Sequence, residues 1–126
     1  MTSSILNSTK KILGLDYTYT AFDTDIITHI NAAFSVLNQL GIGPEVGFTI
    51  EDETSDWVDF VVPVNQLNLI KTYVYLKVRA VFDPPQTSYL IEAMERQIKE
   101  CEWRLSVFRE YALPPVEPVL EEEEVW

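Results

Sequence analysis

His29 and Cys101 are each the only residue of their type in this chain. Neither stands at a spacing that would make it reactive. His29 has no Ser or Cys placed as in a known catalytic pairing, and no second His that could join it on zinc. There is also no nucleophile elbow and no glycine-rich phosphate loop. Carboxylates are abundant, and Glu51, Asp52, Glu53, Asp56 and Asp59 crowd into nine positions. A calcium loop needs alternating ligands around a central Gly and a terminal bidentate Glu. These acids lack that order and read as solvated charges. A two-acid hydrolase needs a pocket that sets one carboxyl apart from the other, and no aromatic-lined concavity is hinted at. The expectation is therefore a protein without catalytic residues, cofactor or metal.

The elements behind these residues are mostly helical. Two runs dominate, Val64 to Phe82 and Ser88 to Tyr111, and neither contains Gly or Pro. Asp83, Pro84 and Pro85 lie between them, so the spacing predicts two antiparallel helices joined by a stiff corner. In the first run, Asn68, Lys71, Thr72, Tyr75 and Arg79 form one narrow polar stripe, and the rest of the circumference is almost wholly apolar. Such a helix is either the centre of the domain or meets another copy of itself. Lys77 projects from the apolar arc. It is expected to snorkel or to meet an acid, Glu92 or Glu95 on the next helix or one from a neighbouring subunit.

The second run has a seam of Leu90, Met94, Ile98, Cys101, Leu105 and Phe108. On its other side Glu92 precedes Arg96, Glu95 precedes Lys99, and Glu100 precedes Arg104, each by four residues. Cys101, on the seam, reads as an inert buried thiol with no disulfide partner. Trp103 and Val107 lie among the charges. They form either a docking surface, as aromatic residues often do, or a lid over neighbouring aliphatic stems.

Upstream, Ser3 or Ser4 can cap a short amphipathic helix with Ile5, Leu6, Ile12 and Leu13, stopped by Gly14. Asp23 is expected to cap a second helix, whose face of Ile26, Ile27, Ile30, Ala33, Phe34, Leu37 and Leu40 ends at Gly41. The opposite face carries Thr28, Ala32, Ser35 and Gln39, with Asn31 and Asn38 along one edge; its lack of repeated charges suits a contact surface, and a solvated polar face is the preferred reading. Residues 42–63 form an irregular insertion with a short strand or extended edge at Phe48 to Ile50. Ser55 is expected to cap a short helix carrying Trp57, Val58, Phe60 and Val61. The fold class is thus a small, mostly α bundle with a long helical hairpin, an insertion of loop and short strand, and a flexible acidic tail. Residues 1–113 make the domain; residues 114–126 make the Pro- and Glu-rich tail, whose apolar tip is Val125 and Trp126.

At 126 residues, with 47% apolar and 23% charged side chains, the body has enough material for a core. Its formal net charge of −11 opposes phosphate-based wrapping of nucleic acid, while allowing DNA to slide past without adhering. No run reads as a membrane span or an export signal, so synthesis in the cytoplasm is expected.

Three ordered segments resemble the head-tail connector proteins of tailed bacteriophages, also called head completion or adaptor proteins. They are KILGLDYTYTAFDTDIITHINAAFSVLNQLGIGP (residues 11–44), GFTIEDETSDWVDF (47–60) and IKTYVYLKVRAVFDPPQTSYLIEAMERQIKECEWRL (70–105). The TYVYLKVRAVFDPP stretch is the most specific. The resemblance implies a ring of about twelve identical subunits in the virion, made in the host cytoplasm. That ring docks under the portal protein and extends the DNA channel toward the tail or a stopper (tail-completion) protein. Double-stranded DNA would pass through without specific binding, and no membrane is involved. Interface candidates are Trp57, Tyr75, Lys77, Arg79, Trp103, Val107, Val125 and Trp126. The competing expectation is a monomeric helical regulator that docks an intracellular partner through its acidic tail.

Overall fold

A computed structural model describes residues 4–60, 62 and 64–112. Four helices follow one another: α1 (Ile5–Ile12), α2 (Asp23–Gln39), α3 (Val64–Phe82) and α4 (Ser88–Ala112), with one 3₁₀ turn at Trp57–Asp59. Among the described residues there is no strand. α1 packs on α2, α2 on α3, and α3 on α4. α3 and α4 form the expected hairpin, and Thr87 Oγ1 caps the start of α4 by accepting from Leu90 N at 3.3 Å.

Local signals explain where α1 and α2 begin and end. Ser4 caps α1, its hydroxyl accepting from Asn7 N at 3.2 Å. α2 ends in a Schellman motif: Gly41 at φ 83° donates to Asn38 O, and Ile42 N reaches back to Leu37 O. Gly14 closes α1 in the same way. The start of α2 differs from expectation. Asp23 is its first residue rather than its cap, and the preceding Phe22 makes no side-chain cap bond. The Asp23 carboxylate has a stronger partner, the ammonium of Lys10.

The core lies between α2 and α3. Ile26, Ile30, Ala33, Phe34 and Leu37 of α2 meet Ile70, Tyr73, Val74 and Val78 of α3, with Ile5 and Leu6 of α1 and Cys101 and Leu105 of α4 at its flanks. The insertion completes it with aromatic rings. Phe34 packs on Phe48 at 5.0 Å, on Phe60 at 4.9 Å and on Trp57 at 6.1 Å between centroids.

The extended edge at Phe48 to Ile50 forms no strand, and at Ile50 both main-chain groups are met by a side chain instead. The Asn31 amide accepts from Ile50 N at 2.8 Å and donates to Ile50 O at 3.0 Å. Asn38 Nδ2 donates to Pro44 O and Glu45 O. The edge of α2 that reads as solvated in sequence is therefore a clamp on its own loop. The 3₁₀ turn is capped by Asp56, not Ser55: Asp56 and Asp59 form a reciprocal capping box. Ser55 O instead accepts from Ile5 N at 3.0 Å, beside an antiparallel bridge between Ser4 and Asp56. The seam of α4 is buried at Met94, Cys101 and Leu105, but Leu90 near its start is exposed. Val61, Leu113 and residues 114–126 of the expected tail lie outside the described residues.

Candidate assembly surface

Of the residues singled out by sequence, Trp103 is the clearest surface feature. It sits on α4 with 68% of its surface exposed, and Val107, one turn on, is half-buried. Of the three acid-base pairs along that helix, only Glu100 and Arg104 approach, at 3.7 Å, and both are exposed. Such a pair contributes about 0.3–0.5 kcal/mol. Arg79 is exposed on α3.

Trp57 is a core residue, 1% exposed, and this corrects its place among the surface candidates. Its indole donates from Nε1 to Ser8 Oγ at 2.9 Å, and Tyr75 packs edge-on at 6.0 Å. The Lys71 ammonium lies 5.8 Å from the ring centroid. In the same turn Asp59 is exposed and Asp56 half-buried, while the indole between them is buried.

Lys77 makes no pair with Glu92 or Glu95. Its ammonium rests 6.0 Å from the Tyr73 ring centroid, where a cation meets the negative face of the π system. Tyr73 itself is buried, and its hydroxyl donates to Glu102 Oε2 at 2.8 Å. Burial, then that hydrogen bond, raises the phenol well above the usual tyrosine range. Burial likewise raises the Cys101 thiol. Val125 and Trp126 lie outside the described residues.

Sequence reasoning missed two features. The first is Lys10, 1% exposed at its side chain, which pairs with Asp23 Oδ1 at 2.8 Å and donates to Tyr17 O at 3.1 Å. The approach to Oδ1 lies off a hydrogen-bonding direction, so the contact is chiefly Coulombic. The second is an apolar end of the molecule. Phe22 packs on Tyr19 at 5.8 Å and on Phe82 at 5.3 Å. Tyr19, Phe22 and Val81 stay exposed there. The YTYTAF sequence before α2 (residues 17–22) is the available signal.

Two acids of the loops have purely local duties. Asp16 and Asp52 each accept from the main-chain N–H and the hydroxyl of a Thr two residues on, Thr18 and Thr54. Those bonds lower both carboxyls below the usual range. Among the described residues no three of His, Cys, Asp and Glu converge as metal ligands, and no helix is long and apolar enough to cross a membrane. What the surface offers is non-covalent: exposed aromatic residues set among charges.

The sequence model of the family described as phage connector protein matches residues 5–112, from the first residue of α1 to the last of α4. The chain belongs to that family. Comparison with curated proteins and with solved structures finds no match. As a phage connector, the protein has a structural role in the virion, at the junction of head and tail. The matched span holds all four helices and leaves out residues 113–126, so the helical body is the family's common unit.

Proposed function

We propose that this connector works as a ring of about twelve copies seated under the portal protein, where it extends the DNA channel toward a stopper or tail-completion protein. The match of the whole helical body to the connector family carries this reading. Two physical features support it. Trp103, Val58, Tyr89 and the apolar end around Phe22 expose more large apolar side chain than a solitary domain of this size gains from. The net charge of −11 repels phosphate, so a channel lined by such a surface lets DNA slide. The role is architectural, with no reaction to catalyse.

Light scattering over a concentration series, with and without purified portal, tests this together with images of the complex. Rings on the portal's axis are expected, including rings that form only once the portal is present. A chain that stays monomeric and ignores the portal would overturn the proposal and favour a solitary binding protein.

A further inference from the structure

Beside α1 lies a cleft of about 500 Å³ lined by Asn7, Ser8, Lys11, Leu15, Asp16 and Tyr17 among others. That volume falls within the range of about 300–1,000 Å³ typical of ligand sites. Its wall combines three kinds of group. Leu15 and Tyr17 are apolar, and Tyr17 is 67% exposed. Lys11 is an exposed cation one turn beyond Asn7, and among the described residues it makes no ion pair. Asn7, also in the lining, carries a side-chain amide. Asn31 shows what such an amide does in this protein, since it holds the extended main chain at Ile50 through both of its groups.

We propose that this cleft receives residues 113–126 of a second copy. The segment reads LPPVEPVLEEEEVW. Its three prolines favour extended backbone, which an amide such as that of Asn7 can grip. The run Glu121 to Glu124 complements Lys11, and Val125 and Trp126 match Leu15 and Tyr17. Asp16 is held ionised by Thr18, so the glutamates lie toward Lys11 and away from the Asp16 end.

A second copy is favoured over the same chain by the packing order. α1 packs on α2 and α4 packs on α3, with no comparable packing of α1 on α4, so the cleft and the start of the segment belong to helices that are not packing partners. A donor and an acceptor on different faces make a head-to-tail contact, the kind that closes into rings. Fourteen extended residues span roughly 46 Å, enough to reach a neighbour. The inference rests on the ring reading and adds to it a specific subunit contact.

Full-length chains bearing Asn7→Cys, one turn from Lys11, and Glu124→Cys, mixed under self-associating conditions with portal if required, test this with a short thiol-reactive crosslinker. Cys101 is buried and stays silent. A crosslink between the two kinds of chain is expected. In otherwise native chains, Lys11→Glu and Trp126→Ala should each weaken self-association roughly tenfold, the scale of a modest interface residue, with monomer melting unchanged. Self-association without the intermolecular crosslink overturns the inference and leaves the ring reading standing. A doubly substituted chain that crosslinks only within itself also overturns it, in favour of the chain's own tail. Absence of self-association even on the portal removes both.

Discussion

The Lys10 ammonium sits 2.8 Å from the Asp23 carboxylate, joining the last turn of α1 to the first turn of α2. The same ammonium bonds Tyr17 O, so one cation fixes both helices and the loop between them.

Breaking that pair from the acid side leaves a buried charge without its counterion, which is the costly way to break it. Asp23→Ala should lower stability by about 2–3 kcal/mol, a discounted figure because Asp23 is partly exposed. Lys10→Met, which removes the charge that needs compensation, should cost less. Urea unfolding of the two variants gives the ranking, and equal losses would show that the ammonium reaches water.

Tyr73 should make the fold sensitive to alkali. Its folded-state phenol is raised above the unfolded value of about 10. The stabilisation linked to it is complete below pH 10 and drains away as pH climbs beyond that point. Tyr73→Phe should lose about 1 kcal/mol at neutral pH, the bond to Glu102. It should then decline less than the wild type between pH 9 and 11, as read by urea midpoints at each pH.

Trp103→Ala should weaken assembly more than it lowers the melting temperature, because the indole is largely exposed on α4. Melting curves beside sedimentation of the wild type and variant with portal give the ranking. The reverse order would mean that Trp103 supports the body of the monomer.

Gly43 has no room for a side chain. An added Cβ would stand 2.5 Å from a Phe60 ring carbon, and the backbone there has φ +85°. Gly43→Ala combines left-handed strain with overpacking against the core aromatics, and should cost about 2–4 kcal/mol in thermal unfolding.

Cys101 should react with maleimide only after unfolding, since burial both hides the sulfur and raises its pKa. Mass spectrometry at pH 8 in rising urea should show labelling that follows the unfolding transition.

The helices were legible in the sequence because their signals are local. Gly14 and Gly41 mark stops, Asp83-Pro84-Pro85 marks a corner, and the apolar period along residues 64–82 and 88–111 does the rest. What escaped depends on contacts distant in sequence. Lys10 on a short amphipathic helix reads as a surface charge, because its acid stands thirteen residues away in another helix. Asn31 reads as a polar edge until Ile50 is folded against it. Trp57 reads as an interface candidate on a short helix, and only the side chains of Ser8, Phe34 and Tyr75 reveal its burial. Among the exposed aromatic residues, sequence singles out Trp103, but the apolar cluster around Phe22 needs the approach of Phe82 from α3.

The first helix is tied to the body across 49 residues, through Ser4 to Glu53 O and Ser8 to Trp57 Nε1. On the ribosome this piece emerges early and meets Asp23 with α2, but the loop residues that complete its anchoring are translated only after α2 is made. Its docking is therefore completed late in synthesis. Truncated products ending before residue 57 should leave Ile5 and Leu6 uncovered, a signal by which the host's quality control can tell an incomplete chain from a finished one.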